Sequence, residues 1–216
     1  MAETPTSPLE AALAYAEEFH AEDDILRAAR LRAAEVGAPP VLPGGGAALC
    51  FLATAVNARA VVEIGTGCGV SGLWLLRGMR QDGTLTSVDV EPEHQRLARQ
   101  SFAQAGFSGG RVRLITGRAL DVLPRLSDGG YDLVFCDGSV HEYPDYLAES
   151  VRLLRVGGVV VFTNALWGNR VTDPTRRDPE TVTVRELGKL VRSDERLRPL
   201  MMPLGDGILA AVKLSD

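Results

Sequence analysis

The sequence predicts an α/β protein: a mostly parallel, doubly wound sheet with helices on both faces, preceded by N-terminal helices and finished by an antiparallel C-terminal hairpin. Three observations predict it. Short apolar runs alternate with helical segments from residue 60 to residue 162, the order that builds parallel strands with helical crossovers. Those runs are almost continuously apolar, as strands buried on both faces must be. Finally, 197–204 and 208–213 flank Gly205-Asp206-Gly207, a hairpin signal.

The elements follow in order. Leu9 to Val36 is rich in Ala, Leu and Glu, with Leu9, Leu13, Ala16 and Phe19 at helical spacing. The charges from Asp23 to Arg32 suggest a second helix with a solvated face. Pro39-Pro40 and Pro43-Gly44-Gly45-Gly46 interrupt the pattern, and an apolar helix resumes from Ala47 to Val56. Strands are expected at 60–64, 85–89, 111–115, 131–137 and 159–162, separated by helices at 71–79, 92–105, 119–126 and 143–154. Gly157-Gly158 is expected to close the last of these helices. Leu166 to Asp178 is polar and reads as a loop, and Thr181 to Arg192 as a helix.

Bulk properties narrow the functional classes. With 216 residues, 45% hydrophobic and 24% charged, the chain reads as one domain (1–216), with a helical cap over 1–57 and the sheet-bearing core over 58–216. A net charge of −5 argues against a nucleic-acid partner, which would need a basic face. Cys50, Cys68 and Cys136 lack metal-ligand spacing and read as reduced thiols. The small, polar start, Met1 to Pro8, lacks the pattern of a signal peptide, and no apolar run is long enough to span a bilayer. The expectation is a cytoplasmic protein that acts on a small molecule.

The most informative stretch is Glu63-Ile64-Gly65-Thr66-Gly67-Cys68-Gly69, a Gly-rich turn between the first strand and a helix. Glycines there let the backbone turn tightly and approach a ligand at the carboxyl end of the sheet. Asp89 ends the second strand, where a carboxylate can hold ribose hydroxyls. Gly67, Gly69 and Gly72 also satisfy the dinucleotide fingerprint, so an NAD(P)-dependent oxidoreductase is one reading. The acidic Glu63 before the turn, the terminal hairpin and the lack of a second catalytic domain favour S-adenosylmethionine instead.

These motifs together resemble the catechol O-methyltransferase-like group of bacterial O-methyltransferases. The resemblance rests on Val62 to Ser71, Ser87-Val88-Asp89, Phe135-Cys136-Asp137 with Tyr143 and Tyr146, and Asn164-Ala165-Leu166-Trp167-Gly168 with Arg170-Val171. It runs from Val41 to the C-terminus. It implies a seven-stranded, Rossmann-like class I methyltransferase fold, a homodimer, and methyl transfer to a small phenolic or catechol-like acceptor. Carried over by residue, it implies that Glu63, Gly65, Thr66 and Ser71 line the methionine and sulfonium part of the cofactor. Asp89 and Val90 would hold the ribose, Gly117, Arg118 and Ala119 would border the adenine, and Val41 would touch the cofactor from the N-terminal side. Asp137 would face both donor and acceptor with Ser139 nearby, and Asn164 and Trp167 would meet the acceptor.

Two departures qualify the resemblance. The family holds a divalent cation such as Mg²⁺ with an Asp after the fourth strand and an Asp-Asn pair after the fifth. Here Asp137 and Asn164 stand in place, but Thr163 replaces the second carboxylate. Hard cations take carboxylate oxygens, so a depleted metal site is expected. The family's lysine three positions after the first Asp is Val140, and the neighbouring His141 is the candidate to share the base role with Asp137. These losses keep open a third reading, an S-adenosylmethionine-binding protein with little catalytic activity.

Overall fold

A computed structural model describes residues 7–107 and 109–216; most of the polar N-terminal stretch noted above, residues 1–6, lies outside them. The first helix, α1 (Pro8–Glu18), starts at a reciprocal cap in which Glu10 N–H donates to Ser7 Oγ and Ser7 N–H to the Glu10 carboxylate. Asp23 opens α2 (Asp24–Glu35) by accepting from Leu26 N–H. The third helix, α3 (Pro43–Ala55), begins four residues before the expected Ala47, so the glycine triplet lies inside its first turn. The reason is packing. Pro43 is preset for a first helical position, and a Cβ on Gly46 would lie inside contact distance of Trp74 Nε1 and 2.8 Å from its Cε2.

The expected alternation follows, with β1 (Ala60–Ile64), α4 (Val70–Gly78), β2 (Thr84–Asp89), α5 (Pro92–Gln104), β3 (Val112–Thr116) and α6 (Ala119–Val122). The predicted helix over 119–126 is split: α6 gives way to a 3₁₀ turn over Leu123–Arg125, where Pro124 cannot donate to an α-helical ladder. Next come β4 (Tyr131–Cys136), α7 (Tyr143–Leu153), β5 (Leu154–Phe162), α8 (Pro179–Ser193), β6 (Leu197–Met202) and β7 (Ile208–Lys213). Strand β5 starts five residues earlier than read. Gly157-Gly158 is not a helix stop but an irregularity within the strand: the register against β4 shifts between Tyr131 and Leu133, and Gly157 takes φ +81°.

The seven strands lie in one sheet ordered β3-β2-β1-β4-β5-β7-β6. The first five are parallel, and β7 runs antiparallel between β5 and β6. The order reverses between β1 and β4, and such a switch point opens a crevice at the strands' carboxyl ends. Side-chain alternation splits the core into two layers. Along β4, Leu133 and Phe135 join Leu49, Leu73 and Phe102 on the α2–α5 face, while Val134 and Cys136 join Leu147, Leu187 and Val191 on the α6–α8 face. Burying one such side chain contributes about 1.5–3 kcal/mol, so the two layers hold the crevice rigidly.

Helix α3 approaches α4 closely enough to forbid side chains at the crossing. A Cβ on Gly78 would lie inside contact distance of the Cys50 carbonyl oxygen and 2.9 Å from its carbon. Gly78→Ala should therefore destabilise the protein by about 1–3 kcal/mol through overpacking, outweighing the roughly 1 kcal/mol that alanine contributes to helix propensity. Urea unfolding checks this; a midpoint equal to or above wild type would show that the helices move apart freely.

Candidate active site

Above the switch point lies a cavity of about 860 Å³, a size suited to a small ligand. Its floor is the Gly-rich turn, closed by its own backbone. Gly65 N–H donates to the Val88 carbonyl at 2.8 Å, Gly67 N–H to Asp89 Oδ2 at 2.8 Å and Gly69 N–H to the Thr66 carbonyl at 3.0 Å. Gly65 takes φ +94°, and a Cβ there would lie 2.5 Å from the Asp137 carbonyl oxygen. Only glycine lets the ends of β1 and β4 meet so closely.

Asp89 thus does two things. It fastens the turn through Gly67 and the next loop through Glu91 N–H at 2.9 Å, with His94 Nδ1 at 3.5 Å. Its remaining lone pairs face the cavity, in reach of a ligand's hydroxyls. Gly65, Thr66, Ser71, Asp89, Val90 and Ala119 all line the cavity, as do Gly117 and Val41. Arg118 also lines it, but its guanidinium is exposed and donates to Glu142 at 3.0 Å. Glu63 is different. It is fully buried and stands behind the wall, where Ser71 Oγ donates to one carboxylate oxygen at 2.7 Å and Ser87 Oγ to the other at 2.5 Å. It is absent from the cavity wall and reaches the wall through Ser71.

At the other end, Asp137 follows β4, with its N–H bonded to the Ile64 carbonyl at 2.8 Å. Ser139, His141, Thr163, Asn164 and Trp167 line the cavity with it. Asn164 has φ +55° and turns its amide nitrogen to Asp137 Oδ1 at 3.3 Å. His141 sits on the rim, exposed, with Nε2 3.4 Å from the Glu180 carboxylate. The loop carrying Trp167 is tied to the terminal hairpin: Leu166 N–H donates to the Asp206 carbonyl, and Gly168 N–H to its carboxylate at 2.7 Å.

Sequence reasoning missed several contributors. Ser87 and Gln95 extend the buried network behind the turn, His94 meets Asp89, and Glu142 accepts from Tyr146 Oη at 2.5 Å. A signal for Gln95 exists, since α5 buries Gln95, Ala98, Ser101 and Phe102 along one stripe. Polar residues on a buried stripe require partners.

The electrostatics are one-sided. Burial raises the Glu63 carboxyl to about 7, against the hydrogen bonds from Ser87 and Ser71, with Asp89 raising it further. Burial likewise pushes Asp137 up to about 8, helped by the Glu63 charge and opposed by Asn164. Among the described residues no arginine or lysine offsets either group. The N–H groups of the three turn glycines are already bonded, and three carboxyl groups surround the floor. To the extent that these groups are ionised, such a floor repels a pyrophosphate and attracts a cationic ligand, which opposes the dinucleotide reading.

Residues 26–214 match the family model described as O-methyltransferase. The chain belongs to the O-methyltransferase family. A relative from Mycobacterium tuberculosis H37Rv, named "Probable O-methyltransferase Rv1220c", is 57% identical over 200 residues, covering 93% of this chain and 89% of its own. Among solved structures, a Corynebacterium glutamicum protein superposes with a TM-score of 0.89 at 34% identity, covering 96% and 98% of the two chains. The O-methyltransferase TomG of Streptomyces achromogenes, solved with S-adenosylmethionine, gives 0.86 at 29% identity over 99% and 100%. A Bacillus cereus O-methyltransferase solved with S-adenosylhomocysteine gives 0.83 at 27% over 94% and 97%. The family resemblance seen in the motifs and the Rossmann-like methyltransferase fold are borne out, and this O-methyltransferase is an enzyme.

Asp89→Ala should cost this O-methyltransferase about 1–3 kcal/mol even without ligand, because it strands the Gly67 and Glu91 N–H groups. Asp89→Asn keeps one acceptor and should lose less. Urea unfolding of the two variants ranks them; equal midpoints would show that the carboxylate does not fasten the turn.

Proposed function

We propose that the protein transfers a methyl group from S-adenosylmethionine to a small phenolic or catechol-like acceptor, with Asp137 as the base and without a resident divalent cation. The observation that carries this is the floor of carboxyl groups without a countercation beneath a turn whose glycine N–H groups are already bonded. That floor fits a cofactor bearing a sulfonium and an ammonium group. The two solved relatives that hold S-adenosylmethionine and S-adenosylhomocysteine support the same choice.

The metal reading rests on the donor set. Mg²⁺ takes oxygen ligands in near-octahedral geometry, usually with one or two carboxylates. Here Asp137 supplies the single carboxylate, Thr163 is a hydroxyl, and Asn164 turns nitrogen rather than oxygen to the site. Among the described residues no group of three His, Cys, Asp or Glu side chains is placed to hold a metal. The residues therefore do not fit the family's cation, and no step is drawn through it.

When bound, S-adenosylmethionine supplies an activated methyl group. The chain's own work is to align an acceptor oxygen with it and to take the acceptor's proton. A phenol titrates at about 10, so an ordinary carboxylate is a weak base toward it. Asp137, pushed up to about 8, is better matched. Asn164 Nδ2 orients the carboxylate by donating to Oδ1, which leaves Oδ2 for the proton. His141, on the rim beside Glu180, would pass that proton on to solvent in this reading. Trp167 walls the acceptor end.

We also propose that the chain acts as one domain with residues 1–57 as its cap, in the cytoplasm and as a homodimer. No described helix is long and apolar enough to cross a membrane, and all three cysteines are free thiols. Helix α1 buries none of its residues, and Leu9, Tyr15 and the adjoining Phe19 are about 70% exposed, apolar surface that a second copy would cover. Sedimentation should give a dimer, and Leu9→Glu with Tyr15→Glu should give monomers; a wild-type monomer would remove the proposal.

The test of function is transfer of labelled methyl from S-adenosylmethionine to a panel of phenols and catechols, with Mg²⁺ or with EDTA. EDTA should leave the rate unchanged, and Asp137→Asn should lower kcat by about 10²–10⁴. The base form of Asp137 exists above its raised pKa, so kcat/KM should climb as pH rises through about 8. Abolition by EDTA would show that Asp137 and Asn164 hold a working cation. Tight binding of NAD with no binding of S-adenosylhomocysteine would overturn the cofactor.

A further inference from the structure

Helix α1 buries none of its residues, yet its Glu17 is held at both carboxylate oxygens by backbone donors from two distant segments. Oε2 accepts from Gly44 N–H at 2.9 Å, across 27 residues of chain, and Oε1 accepts from Gly205 N–H, across 188. The first bond fills a need of α3. The opening N–H groups of a helix have no partner within it, and Leu42, at the cap position of α3, has no side-chain oxygen to offer. Glu17 therefore caps α3 from another helix, and a carboxylate suits the positive end of the helix dipole. Gly44 makes the room, since a Cβ there would lie 2.6 Å from Glu17 Oε2. The second bond reaches the turn between β6 and β7. A Cβ on Gly205 would lie 3.9 Å from the Leu42 Cβ, so this turn and the start of α3 are neighbours. Leu42, Gly45, Leu204, Gly205 and Asp206 line the cavity, and Glu17 straddles the seam where these two walls meet.

The β6–β7 turn leads on to Trp167. The Asp206 carboxylate accepts from Gly168 N–H at 2.7 Å, its carbonyl from Leu166 N–H at 2.8 Å, and the Gly207 carbonyl from Ala165 N–H at 3.0 Å. A Cβ on Gly207 would lie 2.7 Å from Leu166 N, so the turn and the Trp167 loop are built as one unit. We propose that Glu17 is a positioning residue for the acceptor end of the cavity: by tying the β6–β7 turn to the start of α3, it fixes the Trp167 loop and thereby limits which acceptors fit. The proposal rests on the reading above in which Trp167 walls the acceptor end. Glu17 is itself absent from the cavity wall, so it acts through the backbone it holds and touches no reacting atom. The Gly-rich floor is fastened separately, by Asp89, so loss of the Glu17 tie should fall on the acceptor and spare the cofactor. Glu17 also lies ahead of residues 26–214, which match the family, so that match says nothing of its role.

The experiment reads the loop and the acceptor separately, on the full chain. Trp74 and Trp167 are the two tryptophans of the chain, so subtracting the emission of the matching Trp167→Phe protein isolates Trp167. Glu17→Ala should make Trp167 fluorescence more readily quenched by acrylamide, and Glu17→Gln, which keeps one acceptor oxygen, should fall between it and wild type. Asp206→Ala cuts the next link, so adding Glu17→Ala to it should change the quenching less than Glu17→Ala does alone. With catechol as acceptor and saturating S-adenosylmethionine, Glu17→Ala should raise the KM for catechol about three- to tenfold, the range set by losing one such hydrogen bond. S-adenosylhomocysteine should bind it, by calorimetry, as it binds wild type. Should Glu17→Ala fail to fold, Glu17→Gln carries both measurements. Unchanged quenching in the folded variant would overturn the proposal. Equal weakening of catechol and S-adenosylhomocysteine would show a merely structural role and would overturn it too. Failure of wild type to methylate catechol would instead count against the acceptor reading, and the quenching would still decide whether Glu17 holds the loop.

Discussion

The close approach of Gly65 to Asp137 is the constraint on which the site depends. The end of β1 is bonded on both sides, through Gly65 N–H to β2 and through Asp137 N–H to the Ile64 carbonyl. No side chain fits between them. This pinch brings the turn that holds Asp89 and the Asp137 carboxylate to opposite walls of one crevice. It also places Asp137 close enough to Glu63 to feel its charge. Any widening would separate Asp89 from Asp137, and in-line transfer of the kind proposed tolerates little misplacement.

The fold was legible because period and punctuation agreed along most of the chain. Continuous apolar runs, glycine turns and amphipathic helices each pointed to the same sheet. The misreadings were local and share a cause. The triplet Gly44 to Gly46 and the pair Gly157-Gly158 read as breaks, since glycine lowers helix and strand propensity. In the structure each serves a close approach to a residue far along the chain: Trp74 for Gly46, and Asp132 for Gly158. Pro124 ended α6 early because a sequence window averages over a single missing donor.

The site was legible to the same extent. Asp89, Asp137, Asn164 and Trp167 sit at strand ends, where α/β sheets place ligand contacts, and all reach the cavity. Glu63 was placed one layer too far forward. Its position in the strand marks it as inward-facing, but not whether that interior is a ligand or a pair of serine hydroxyls. The network through Ser87 and Gln95 joins residues far apart in the chain, and no local pattern announces it. The unpaired carboxyl groups also link ligand to stability: a cation bound at the floor relieves repulsion that the empty protein carries, so the folded state gains by mass action when it is occupied.

The position of β7 has a consequence for synthesis. Since β7 lies between β5 and β6, the ribosome releases the Gly-rich turn, Asp89 and Asp137 long before the strand that covers β5. Until Ile208 to Lys213 emerge, β5 exposes an unpaired apolar edge, a template for pairing with other chains. The loop bearing Trp167 waits equally long for Asp206. A chain stalled or clipped within its last dozen residues would carry a finished Gly-rich turn beside an unfinished Trp167 loop, and would meet the cell as an aggregation hazard rather than as a weak enzyme.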